Sequence, residues 1–150
     1  MTESTFVMVK PDGIQRRLLG DIITRFEHAG ITIVAMKLLQ VSQELAECHY
    51  AIHKGKSFYK GLIDYITSGP VVVMVLKGRK VIQRVRTMVG VTDPNKAYPG
   101  TIRGDYAQEI GRNIVHASDA LETAEKEISI WFSPKEIVDY KMNDSTWLFE

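Results

Sequence analysis

The chain has 150 residues, 45% of them hydrophobic and 25% charged, with a formal net charge of +1. That length suits one domain, 1–150, around a sizeable core, and the composition is ordinary for a globular protein. The near-neutral charge gives no bulk reason for a nucleic-acid or anionic-membrane partner. The single cysteine, Cys48, cannot form an internal disulfide, which favours a reducing compartment. The start MTESTFVMVKPDG lacks the pattern of a signal peptide, and the longest apolar run, PVVVMVL from Pro70, is too short to cross a bilayer. The expectation is a cytoplasmic enzyme or binding module.

Residues 5–9 (TFVMV) read as a β-strand ending at Lys10, and Pro11-Asp12-Gly13 as a turn. From Ile14, apolar residues at Leu18, Leu19, Ile22, Ile23 and Phe26 recur at helical spacing, and Gly30 suits the position after the last turn. Residues 31–41 are apolar on both faces and predict a strand with little water contact. Ser42 can cap a helix through about His53, and Phe58, Leu62, Ile63 and Ile66 suggest a second short one. VVVMVLK is a buried strand, and Val81, Ile82, Val85, Met88 and Val89 predict a helix.

Over 90–112 no period holds, and a loop that long in a compact domain is either functional or a misread element. NIVH, 113–116, is a fourth strand. Asp119 and Glu122 resemble a capping box ahead of a helix carrying Leu121, Ala124, Ile128 and Trp131. Trp147 and Phe149 suggest that the tail packs down. Without the extra short helices the order is βαββαβ: an antiparallel sheet with helices on one face.

His116 stands between strand and helix with small neighbours, Ala117 and Ser118. A lone histidine near an apolar strand is more often structural than catalytic. The junction with a helix start favours anions, however, and Glu127 lies about two turns along the next helix. It can orient the ring, although spacing alone favours a solvated carboxylate. Lys10, Arg86, Lys96, Arg103 and Arg112 are either scattered surface cations or a polyphosphate cradle, with Thr92 a further donor. No Gly-rich nucleotide signature is present. His49 and His53 have zinc-compatible spacing without a completing ligand, so a structural helix is favoured there.

Taken together, VKPDG (9–13), HY (49–50), SGPVVVMVL (68–76), PGTIRGD (99–105), GRNIVHASD (111–119) and TAEKE (123–127) resemble the nucleoside diphosphate kinase family, in order and from about Ser4 to Glu150. The resemblance implies an α+β, ferredoxin-like βαββαβ sandwich: a four-stranded antiparallel sheet with helices on its faces and a long loop before the last strand. It implies transfer of a γ-phosphate from a nucleoside triphosphate to a nucleoside diphosphate through a phosphohistidine on His116. Glu127 would orient that ring, and Ser118 would bond Glu127 or the phosphoryl group. Tyr50 would lie near the γ-phosphate, with Arg86, Thr92 and Arg103 on the phosphates. Lys10 and Asn113 would bond the sugar hydroxyls, with Lys10 also reaching the γ-phosphate. Phe58 would stack on the base between Leu62 and Ile110. Mg²⁺ would ride on the nucleotide, touching Asp119 through water. The assembly implied is a homohexamer, with a tetramer as the alternative, and no dedicated nucleic-acid or membrane partner.

Departures are Ala117 where the family often has Gly, Ala120 where Ser is common, and Ser57 where Pro is common. The expectation is that the Ala117 methyl narrows the approach to His116.

Overall fold

In the computed structural model, which describes residues 1–150, strand β1 (Thr2–Val9) is the spine of the sheet. It pairs antiparallel with β3 (Pro70–Arg79) on one side and with β4 (Val115–Ala117) on the other. Strand β2 (Thr32–Gln40) pairs antiparallel with the outer side of β3, giving the order β2-β3-β1-β4. Side chains alternate along each strand. Phe6 and Met8 therefore face one way with Val71, Val73 and Val75, and Val7 and Val9 the other with Val72, Met74 and Leu76.

Both faces are covered, so helices lie on two sides rather than the one side that element order suggests. On the Val7 face lie α2 (Leu19–His28), through Ile22 and Phe26, and α5 (Val81–Val89), through Val81, Val85 and Val89. On the Phe6 face lie α3 (Gln43–His49), α4 (Tyr59–Ile66) and α7 (Leu121–Trp131), through Ala46, Ile63, Ile66 and Trp131. The architecture is α+β and ferredoxin-like.

Local chemistry moves several boundaries from their expected places. Pro11-Asp12-Gly13 is not a turn but the opening of α1 (Pro11–Gln15), with Pro11 where its missing N–H costs nothing. The helix expected from Ile14 breaks at Arg17, whose φ is +61°, and α2 begins at Leu19. Helix α3 stops at His49, and Ala51–His53 forms a separate 3₁₀ turn. Strand β2 is not sheltered: Met36 and Leu38 are 50% and 67% exposed on the open edge of the sheet. Asp119 caps nothing; the N-cap of α7 is Ala120, which has no side-chain acceptor to offer.

Residues 90–112 are ordered. They hold a 3₁₀ turn at Pro94–Lys96, helix α6 (Ile102–Tyr106) and a second 3₁₀ turn at Ile110–Arg112. Thr101 Oγ caps α6 by accepting from Gly104 N at 3.0 Å. Gly104 is required there, because a Cβ would sit 2.0 Å from the Tyr98 carbonyl oxygen. Arg25 of α2 ties the segment down, donating to Asp105 at 2.6 Å and to the Gly100 carbonyl at 2.9 Å. At the C-terminus, α8 (Ser145–Leu148) sets Leu148 against Gly30, and the Arg79 guanidinium covers the Phe149 ring at 3.9 Å. Trp147, expected to pack, is 89% exposed. No helix is long and apolar enough to cross a membrane.

Candidate active site

Strand β4 delivers His116, and the chain enters β4 through an unusual turn. Ile114 has φ +76°, and Val115 N donates to Asn113 O at 2.8 Å across it. That is a γ-turn of the left-handed kind, rare for any residue and strained for a β-branched one, at roughly 1–3 kcal/mol. Both polar groups of the Ile114 backbone are matched from around the start of α1: its N–H donates to Asp12 Oδ2 at 3.0 Å, and its carbonyl accepts at 2.8 Å from the N–H of Lys10, the N-cap of that helix. Gly13 leaves room, since a Cβ there would lie 2.7 Å from Val9 Cγ1 and 3.1 Å from both Ile114 Cγ2 and Ile114 O. Tyr65 O–H donates to the other Asp12 oxygen.

Beyond the turn, His116 pairs with Met8 of β1, and its partly buried ring lies on the Phe6 face. Glu127, one residue past Lys126 on α7, reaches back to it: His116 Nε2 and Glu127 Oε2 are 2.8 Å apart. Ser118 O–H donates to Glu127 Oε1 at 2.6 Å. Burial pushes the Glu127 carboxyl upward, but the hydrogen bond and charge of His116, the Ser118 hydroxyl and His49 together hold it below the usual range. An ionised carboxylate only accepts, so the ring proton sits on Nε2 and the lone pair on Nδ1.

The Ala117 methyl does not narrow this approach. Alternation turns it to the opposite face, buried among Val7, Val9 and Val115.

Lys10 Nζ donates to Asn113 Oδ1 at 2.9 Å, and Asn113 Nδ2 donates to Thr92 O at 3.1 Å. Burial, then the charge of Arg103, push the Lys10 ammonium down to about 8, with Asp12 opposing. Burial and the charge of Arg86 push Arg103 down to about 10. Cations that depress one another, with few carboxylates near, mark a place built for an anion. Arg103 is also a staple: it is 3% exposed and donates to the carbonyls of Asn113, Gly90 and Val115. Its five N–H groups leave two free. Arg86 donates to the Ala117 carbonyl at 3.2 Å, which sets it beside the strand that carries His116. Lys96 is exposed, as the scattered-surface reading has it, while Arg112 lies over the Tyr65 ring at 4.5 Å.

Tyr50 is buried with its ring edge-on to His49, and burial pushes its hydroxyl up to about 12, so it remains a donor. Leu62 packs into the Phe6-side core, while Phe58 and Ile110 stand exposed. Thr92 and Asp119 are exposed, the latter with no polar partner. The zinc pairing of His49 with His53 does not form. His49 instead lies edge-on to His116, ring centroids 5.0 Å apart, with Nδ1 3.6 Å from Glu127 Oε2. Sequence reasoning missed the roles of two residues of this neighbourhood: Asp12, read only as a turn residue, and His49, weighed only against His53 as a zinc ligand. Both lie inside the quoted motifs, and the signal available was polarity at otherwise apolar junctions.

Comparison with known proteins comes down on one side. A sequence model described as nucleoside diphosphate kinase matches residues 3–137. The chain is 56% identical to a nucleoside diphosphate kinase of Archaeoglobus fulgidus, over 99% of this chain and 98% of that one. It is 53% identical to that of Carboxydothermus hydrogenoformans, over 99% of each chain. Among solved structures, a halophilic nucleoside diphosphate kinase from Halobacterium salinarum in complex with CDP superposes with a TM-score of 0.97 at 47% identity, over the whole of both chains. A family protein from Babesia bovis gives 0.95 at 41%, over 98% of this chain and 99% of that one. The chain therefore belongs to the nucleoside diphosphate kinase family, whose members pass a γ-phosphate from one nucleotide to another through a phosphohistidine.

Proposed function

We propose that His116 is the carrier, accepting the γ-phosphoryl group on Nδ1 and handing it to a nucleoside diphosphate. The observation that supports this most is the His116–Glu127 bond, which leaves the opposite nitrogen unprotonated on a partly exposed ring. The Nδ1 lone pair forms the N–P bond while the bond from phosphorus to the bridging oxygen breaks, and the diphosphate leaves with the electron pair. The second nucleotide's terminal oxygen then reverses the step. Glu127 opposes the positive charge that grows on the ring, and Ser118 holds Glu127.

In this reading Arg86, Arg103 and Thr92 take the phosphates, and Tyr50 donates near the γ-phosphate. Lys10 and Asn113 take the sugar hydroxyls, with Lys10 also reaching the γ-phosphate. Phe58 stacks on the base, with Leu62 and Ile110 beside it. Stacking reads only the face of a base, so base identity matters little. The Halobacterium salinarum protein is a complex with CDP, which fits a nucleoside diphosphate as ligand here.

The cation we propose is Mg²⁺. The donors present fit a nucleotide-borne ion: the one cluster of metal-ligating type, His49, His116 and Glu127, is nitrogen-rich and tied up in internal bonds. Magnesium prefers oxygen and keeps its waters. Asp119 is exposed and free to touch it through water; bound there, the ion neutralises phosphate charge.

For assembly we propose a homohexamer, with a tetramer as the alternative. The support is the open β2 edge, where Met36 and Leu38 join Ile14, Leu19 and Val72 in an apolar groove that a second copy can cover. Light scattering after size exclusion reads the assembly. A cytoplasmic location is proposed on the single Cys48.

The test of the carrier is direct. The protein is incubated with γ-labelled ATP and Mg²⁺ and freed of nucleotide, and the label is expected to be acid-labile and base-stable. No label on the wild type, or equal label on His116→Ala, rejects the proposal.

A further inference from the structure

Lys10 and Asn113 meet at 2.9 Å although they belong to different segments, one closing β1 and one preceding β4. What holds the two segments in that relation is the left-handed turn at Ile114, and a buried isoleucine does not adopt φ +76° unless its surroundings impose it. Ile114 is fully buried, so its N–H requires a partner. The Asp12 carboxylate supplies one at 3.0 Å, charge-assisted, and Tyr65 O–H occupies the other carboxylate oxygen.

We propose that Asp12 is a positioning residue for the sugar-binding pair: it fixes the Ile114 turn and thereby aligns Asn113 with Lys10, while touching no nucleotide itself. The inference rests on the reading of Lys10 and Asn113 as the partners of the sugar hydroxyls. Three features support it independently. The Ile114 carbonyl returns to Lys10 N at 2.8 Å, so one turn is bonded to both sides of the pair. Gly13, next to Asp12, lacks the Cβ that would crowd both Val9 and Ile114. Tyr65, which orients Asp12, lies under both Lys10 and Arg112, at 5.9 and 4.5 Å from its ring centre. The Pro-Asp-Gly segment is thus a helix start whose second residue reaches across to the turn that leads into the strand of His116.

The experiment compares a nucleoside diphosphate with its 2′,3′-dideoxy counterpart as acceptor, using wild type, Asp12→Ala, Asp12→Asn, Tyr65→Phe and Asn113→Ala. Asn113→Ala calibrates it. If that variant keeps the wild-type preference for the hydroxylated acceptor, the sugar-site reading fails, and this inference with it. If the preference drops, the reading stands and Asp12 is tested alone. Asp12→Ala is then expected to lose kcat/KM for the hydroxylated acceptor on the order of a hundredfold, as misplacement of a binding group does, with little change for the dideoxy acceptor. Asp12→Asn keeps an acceptor for Ile114 N–H and is expected to restore most of the preference. An equal fall for both acceptors, or a folded Asp12→Ala with the preference intact, overturns the proposal. Should Asp12→Ala fail to fold, Tyr65→Phe reads the same ratio: a partial loss supports the proposal and an unchanged ratio overturns it.

Discussion

Trp131 donates its indole N–H to His49 Nδ1 at 3.1 Å, so the proton of a neutral His49 sits on Nε2. Burial, then the neighbouring charge of His116, push His49 down to about 3, with Glu127 opposing and Lys10 and His53 adding to the fall. Because the unfolded chain takes up this proton near pH 6.5 and the folded protein only near 3, stability falls as pH drops through that window. Below it the loss from this group is on the order of 5 kcal/mol. His49→Asn keeps an oxygen for Trp131 and removes the titration. The difference in Tm between pH 7 and pH 4 is expected to narrow, and a difference as wide as that of the wild type rejects the assignment.

Glu127 sets which His116 nitrogen is free. Glu127→Gln can still touch both Ser118 and the ring, but an amide can also donate, so the tautomer is no longer fixed. Phosphoenzyme formation in a single turnover is expected to slow on the order of a hundredfold, with nucleotide binding nearly unchanged. A rate equal to wild type shows that the ring is oriented without the carboxylate.

Much of this site was legible in the sequence because it is written in short local patterns. NIVHASD gave a strand and a partly open histidine, although β4 begins only at Val115 and Asp119 does not cap α7, and the quoted motifs tied it to a family. What was not legible depends on faces and distant partners. Strand alternation sends the Ala117 methyl away from His116 into the core, so the expected narrowing vanishes. Asp12 looked like a turn residue because its partner, Ile114, lies about a hundred residues away. The order in 90–112 comes from Arg25 on α2 and from the Thr101 cap, neither of which makes a periodic pattern. The exposure of Met36 and Leu38 was hidden because an apolar strand reads the same whether neighbours in its own chain or another copy cover it.

Lys10 titrates near the working range. Held down to about 8 by burial and Arg103, it carries its charge below that pH and loses it above. In the free enzyme, kcat/KM for nucleotides is therefore expected to decline above about pH 8. Bound phosphate favours the charged ammonium, so the corresponding limb in kcat should lie at higher pH. Lys10→Arg keeps its charge throughout and should remove the limb, whatever its absolute rate. A limb that persists near the same pH in that variant would falsify the assignment to Lys10.

Helix α7 carries Glu127 yet begins without a cap. Ala120 has the extended backbone of an N-cap, φ −153° and ψ 166°, but no side-chain oxygen for the first-turn N–H groups. Ala120→Ser supplies that oxygen in the backbone conformation already present, so nothing must rearrange. The expected gain is about 1 kcal/mol, which for a domain of this size raises Tm by roughly 2–4 °C. Activity is expected to hold, because the change lies at the solvent-facing start of the helix. Asp119→Ala distinguishes the cause: if Asp119 were capping α7 in solution, that variant would lower Tm and Ala120→Ser would add nothing. With Ala120 at the N-cap, the serine substitution alone should move Tm, and thermal melts of the two variants side by side decide between the arrangements.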